Sequence, residues 1–152
     1  MDTNYDSTQD TLAHIRRVQE LLSEAINNFC KRMIAHDISK TQEPEKPIFD
    51  EMTSKLKSST YGSPEYNGFL KHMKVALDHH YANNSHHPEH YENGIKDMSL
   101  FDIMEMLIDW KAATERHADG DLRKSIEINQ ERFGYGDELK SILIATAVEM
   151  GF

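Results

Sequence analysis

The sequence holds a single cysteine, Cys30, in 152 residues. A disulfide within the chain is therefore excluded, and nothing points to an oxidising compartment. Cys30 sits inside an apolar helical pattern, where a small buried hydrophobe is the expected reading and a nucleophile the minor one. No apolar run approaches membrane-spanning length. The first ten residues, MDTNYDSTQD, lack the apolar core of a signal peptide, so the expectation is a cytoplasmic protein without a membrane partner. A basic block is missing too: 17 lysines and arginines are interleaved with 26 aspartates and glutamates, for a formal net charge of -9. A protein that coats a nucleic-acid polymer normally carries a basic face, so that class is disfavoured. A small anionic substrate is not, because bound divalent cations reverse the sign locally. Internal repeats, low-complexity tracts and alternating strand patterns are also absent.

What is present is helical periodicity. The chain has the length of one ordinary domain, 1–152, with a loose start over 1–6 and enough residues to bury a core without staples. Ser7 with Asp10 resembles a capping box. Ile15, Val18, Leu22, Ala25, Phe29 and Met33 then follow helical spacing to about Ser39, as one helix or as two broken near Asn27-Asn28. Thr41 to Pro47, with two prolines, reads as a loop, 48–57 as a short helix, and Ser58 to Pro64, with Tyr61-Gly62, as another loop. Residues 65–81 form a helix with Phe69, Met73, Ala76 and His80 on one stripe, and 83–96 is irregular. Ser99 with Asp102 opens the next helix, which carries Ile103, Met106, Leu107 and Trp110. Helices over 121–132 and 137–150 follow, separated by the turn Phe133-Gly134-Tyr135-Gly136. The predicted fold is all-α, a compact single-domain bundle of five to seven helices.

The chemistry concentrates in histidine. Six of the nine histidines fall between His72 and His90, and imidazole is the commonest protein metal ligand. His36-Asp37 extends the stripe through Phe29 and Met33, where an ionised aspartate is costly unless paired or coordinated. His14 lies beside the same stripe. Asp109 follows Met106 on an otherwise apolar helix face. His80 is on the core-facing stripe, whereas His79 is rotated outward. At most two or three of the residues His79, His80, His86, His87 and His90 can join one site.

Taken together, His14, then His36-Asp37, then Asp109 resembles the HD superfamily of metal-dependent phosphohydrolases. HDISK, ALDHHYANNSHHPEHY and MSLFDIMEMLIDWKA are similar to an uncharacterised HD-like family of bacteria and bacteriophages, over residues 10–116. The resemblance implies an HD-type helical domain in which His14, His36, Asp37 and Asp109 are metal ligands. His80 and His87 are chosen to complete a second site, with His79 or His86 as replacements. Mixed imidazole and carboxylate ligands suit one or two ions of Mn, Fe, Co, Ni or Zn. The function expected is hydrolysis of a small phosphorylated substrate, most readily a nucleotide, by metal-activated water. Lys40 would contact a phosphate oxygen, and His86 and His90 would serve as proton donors or phosphate contacts. A di-iron oxygenase and a non-catalytic metal- or nucleotide-binding module are the competing readings, and a homodimer is left open.

Overall fold

Helical periodicity runs through the chain, and the structure, a computed structural model that describes residues 5–59, 63–116 and 120–152, is all-α. Seven α-helices occur among the described residues: α1 (Thr8–Ala35), α2 (Glu45–Ser58), α3 (Pro64–His72), α4 (Lys74–Asn83), α5 (Leu100–Thr114), α6 (Leu122–Phe133) and α7 (Asp137–Glu149). Short 3-10 turns stand at Ile38–Thr41, Pro88–His90 and Gly94–Asp97, and the described residues contain no strand. The expected loop at Tyr61-Gly62 and residues 1–4 of the expected loose start lie outside the described residues. No helix among them is long and apolar enough to cross a membrane. The chain divides into two units, one running to His36 and one from Asp37 to Phe152.

The first unit is α1, a single helix of 28 residues that runs through Asn27-Asn28 without a break. The expected capping box at Ser7 does not form, since Ser7 makes no side-chain cap bond. The Asp6 carboxylate instead accepts the Thr8 backbone N–H at 3.0 Å and the Thr8 hydroxyl at 2.5 Å, the local aspartate bonding that competes with a regular cap. Ala25, Phe29, Arg32 and His36 are the half-buried line of the helix. Met33 is 73% exposed, so the buried stripe expected through it is not observed there. Cys30 is exposed rather than buried. It follows Phe29 by one residue, which turns it about 100° away from the half-buried line.

The second unit is organised around α5, α6 and α7. Ser99 and Asp102 form the capping box read from the sequence: the Ser99 hydroxyl oxygen accepts from Asp102 N–H at 3.2 Å, and Asp102 Oδ2 accepts from Ser99 N–H at 2.9 Å. With its N-terminus fixed, α5 turns Met106 and Leu107 (each 1% exposed) into a core shared with Ile126 of α6 and Leu143 and Ala147 of α7. Trp110 stacks on Phe133, ring centroids 6.3 Å apart, as part of this packing. Gly134 ends α6 with φ of 66°, a left-handed cap that glycine adopts at no steric cost.

Tyr135 follows that cap, is buried, and donates its hydroxyl to the Ile126 carbonyl at 2.6 Å. Burial pushes its phenol up from 10.0 to about 12. The unfolded chain therefore loses this proton first, and stability falls as pH rises through that interval. Tyr135→Phe is expected to cost about 1 kcal/mol at neutral pH, the worth of one hydrogen bond. It should also flatten the alkaline decline in denaturant midpoint between about pH 10 and 12; an unchanged decline would assign it to other groups.

Two boundaries differ from the sequence reading. Helix α2 starts at Glu45, inside the expected loop, because Pro47 falls in its first turn, where a missing N–H costs nothing. The helix expected over 65–81 is interrupted at Met73 (φ -82°, ψ -1°), although Met73 N–H still reaches the Phe69 carbonyl at 3.0 Å. The stripe survives the interruption: Met73, Ala76 and His80 are all buried.

Candidate metal centre

Three elements of the second unit bring nitrogen and oxygen donors to one point. Asp37 initiates the 3-10 turn after α1 with φ of 55°, a left-handed conformation rare outside glycine but tolerated by aspartate. Its short side chain meets His80, on the buried stripe of α4, and His86 and His87, which lead into Pro88. His80 Nε2 lies 3.2 Å from Asp37 Oδ1 and 3.0 Å from His87 Nε2, and His86 Nε2 lies 3.5 Å from the same Asp37 oxygen. Ligand atoms held about 2.1 Å from a tetrahedral ion stand about 3.4 Å apart, so these spacings match the edges of such a polyhedron. The donors of Asp37, His80, His86 and His87 all lie within 4.8 Å of one another, and the group could hold a metal ion.

Carboxylates stand behind two of the imidazoles. Glu45, the first residue of α2, is completely buried. Its Oε2 lies 3.0 Å from His80 Nδ1 and its Oε1 2.7 Å from His79 Nδ1. Glu105 Oε1 lies 3.2 Å from Nδ1 of the buried His86. This carboxylate–histidine arrangement fixes ring orientation and raises ligand basicity in metal sites. Neither glutamate was identified from the sequence. Glu45 was hidden in an apparent loop, and Glu105 looked like one more charge on α5. The only signal available was three-residue spacing from the buried Asp102 to Glu105 on one helix face.

The loop that carries His86 and His87 is tied down by Asp102. Besides closing its capping box, this buried carboxylate accepts from Ser85 Oγ at 2.7 Å and Tyr91 OH at 2.9 Å. The irregular segment between α4 and α5 is thereby pinned on both sides of the histidine pair.

The electrostatics suit a cation. Burial alone would raise the Asp37 carboxyl, but the His80 and His86 rings and the charge of Lys40 beside it outweigh that. Asp37 is thus held well below the usual carboxylate range and stays ionised. Burial, with the neighbouring charges of His86 and His80, pushes His87 down from 6.5 to about 3, against the opposing pull of Asp109 and Asp37. Its ring is neutral at pH 7, the form that binds metals.

In metal-free protein this has a consequence for stability. The unfolded chain takes up the His87 proton near pH 6.5 and the folded chain only near 3. Between those values the unfolded state holds more protons, so acidification destabilises the fold, by at most about 1.4 kcal/mol per pH unit for this group. His87→Asn is expected to flatten the acid limb in urea titrations; an unchanged limb would assign it elsewhere.

Asp37, His80 and His87 come together, joined by His86, which the sequence offered both as a replacement ligand and as a proton donor or phosphate contact. Lys40 Nζ sits 2.5 Å from Asp37 Oδ2. Asp109 is half-buried and has an oxygen within 4.8 Å of one of Asp37's. His90 is exposed and is turned to the Tyr81 backbone, donating Nδ1–H to its carbonyl at 2.7 Å. His14 is exposed on α1 and His36 is the half-buried residue capping its C-terminus, both in the first unit.

Fold and cluster together define an all-α protein with a histidine–aspartate group able to hold a metal. The chain belongs to DUF5662, a family of unknown function whose profile matches residues 3–149. Neither a search of curated proteins nor one of solved structures finds a match.

Proposed function

We propose that this protein is a metal-dependent phosphohydrolase acting on a small phosphorylated substrate, most readily a nucleotide. The observation that carries the reading is the convergence of three imidazole Nε2 atoms and one carboxylate oxygen at ligand–ligand spacing, with Glu45 and Glu105 behind two of the rings. The resemblance of HDISK and the histidine-rich segment to HD-type hydrolases supplies the reaction class. Asp37, His80, His86 and His87 would hold one divalent ion, and this donor set favours Mn, Fe, Co, Ni or Zn over Mg or Ca. Bound there, the ion supplies Lewis acidity and an acidified water.

The remaining tasks fall to the chain itself. Lys40 balances the second Asp37 oxygen and stands as a compact positive charge for a phosphoryl oxygen. Asp109 offers a half-buried carboxylate next to the cluster, placed to orient a water or accept its proton. His90 keeps a polar ring at the exposed end of the same loop.

The test is elemental analysis of purified protein, before and after loading with Mn, Co or Zn, alongside phosphate release from a panel of nucleotides and simple phosphate esters. Near-stoichiometric metal with metal-dependent release supports the reading. Metal without turnover on any ester would make the protein a binding module. Protein that takes up no metal would overturn the assignment.

A further inference from the structure

Glu45 is the most thoroughly buried charged residue described, and its hydrogen bonds can be traced proton by proton. Asn84 donates its two side-chain hydrogens to the His80 carbonyl at 2.8 Å and to Ser39 Oγ at 2.9 Å. Neither is left for His80 Nδ1, although Asn84 Nδ2 also lies 3.0 Å from it. The Ser39 hydroxyl, having accepted from Asn84, keeps one hydrogen of its own, with Glu45 and His80 Nδ1 (3.2 Å from Ser39 Oγ) both beside it. Each ring nitrogen of His80 faces one acceptor-only oxygen: Glu45 Oε2 at 3.0 Å from Nδ1, and Asp37 Oδ1 at 3.2 Å from Nε2, where Lys40 already balances the Asp37 carboxylate through its other oxygen. The nearer and more deeply buried carboxylate, Glu45, therefore holds the ring proton, on Nδ1.

From this geometry we infer that Glu45 is a positioning residue that locks His80 in its Nδ1–H tautomer, so that the Nε2 lone pair points at Asp37 and His87. In a neutral imidazole one nitrogen carries the proton and the other accepts. Fixing the proton on Nδ1 makes His80 a preformed metal donor before any ion arrives. The position of Glu45 at the N-terminal end of α2 supports a buried anion there through the helix dipole. Its other oxygen, on His79, gives the carboxylate a second anchor. His79 is exposed enough (39% of its side chain) to exchange tautomers freely, whereas His80 (1%) is not. The inference rests on the metal-site reading for its purpose but not for its measurement.

The deciding experiment is long-range proton–nitrogen NMR of the histidine rings in chelator-treated protein at pH 8, on wild type, Glu45→Ala and Glu45→Gln. Circular dichroism on each variant checks the fold. Cobalt titrations followed by visible absorption run in parallel. Wild-type His80 is expected as the Nδ1–H tautomer, and Glu45→Ala as a mixture with Nε2–H, binding cobalt ~10–100-fold more weakly. Glu45→Gln should keep the tautomer and most of the affinity, because its amide oxygen can face His80 while its NH2 group faces the adaptable His79. His80 found as Nε2–H in wild type overturns the inference even if cobalt binds. Equal losses of affinity in the alanine and glutamine variants also overturn it, since they would make Glu45 a charge rather than a tautomer lock. Wild type that shows the Nδ1–H tautomer and takes up no cobalt supports the inference and refutes the metal reading alone. Should Glu45→Ala fail to fold, the wild-type tautomer and the glutamine titration still decide the matter.

Discussion

Asp37→Ala is expected to abolish metal uptake and, with it, any metal-dependent phosphate release. Asp37 Oδ1 is the atom that both His80 and His86 approach, so its loss removes the only carboxylate donor of the four-residue group. It also strips Lys40 of its partner at 2.5 Å and leaves that cation beside the histidines, where it opposes an incoming ion. The affinity loss should exceed the ~10–100-fold typical of outer partners of a metal ligand. Asp37→Asn separates the contributions. Asparagine tolerates the left-handed backbone equally well and keeps the shape, so a comparable loss in both variants would assign the effect to charge and coordination. Elemental analysis on matched preparations reads the result. Full metal occupancy in Asp37→Ala would show that the ion, if bound, sits elsewhere.

The second large effect concerns Asp102, which never approaches the candidate ligands in the sequence reading except as a cap. Its two oxygens accept from Ser99 N–H, Ser99 Oγ, Ser85 Oγ and Tyr91 OH, at 2.6–2.9 Å, and the residue is 3% exposed. Alanine there takes the charged acceptor from Ser99 and from the half-buried Ser85 and Tyr91 hydroxyls, opens α5 at its N-terminus and frees the loop bearing His86 and His87. Losing hydrogen bonds to a charged acceptor together with a helix cap costs about 2–4 kcal/mol. For a chain of this size that corresponds to a drop in Tm on the order of 10 °C. Asp102→Ala should therefore also weaken metal binding, without touching a ligand, and a thermal melt with a cobalt titration tests both parts. A loss of stability with undiminished cobalt affinity would show that the histidine loop holds its geometry independently.

How far the fold could be read from the sequence follows from the range of the forces involved. The Ser99–Asp102 capping box and the Met73, Ala76, His80 stripe depend on neighbours three or four residues away, and both were legible. The start of α2 was not, because two prolines in EPEKP outweigh helix propensity in any local reading, although a first-turn proline is harmless. Met33 and Cys30 show the opposite failure: periodicity gives a helix its apolar face but says nothing about what that face meets. At the site, Asp37, His80 and His87 were legible from residue type and stripe position. His86 stood among the same candidates, and its place with the donors depends on how the loop ahead of Pro88 folds. Glu45 and Glu105 depend on contacts over 35 and 19 positions, the span from Glu45 to His80 and from His86 to Glu105, and no short-range pattern encodes them.

The left-handed turn at Asp37 places two opposed demands on one codon. The backbone conformation is best served by glycine or asparagine, and the carboxylate by aspartate or glutamate, whose longer chain gains nothing from the turn. Only aspartate meets both. A library randomised at this position and sorted for thermal stability should accept glycine, asparagine and aspartate, whereas the same library sorted for metal retention should, on the proposed metal assignment, return aspartate alone. On the proposed metal assignment, the backbone admits three residues at this position and the chemistry admits one, so the turn narrows a choice that the site completes.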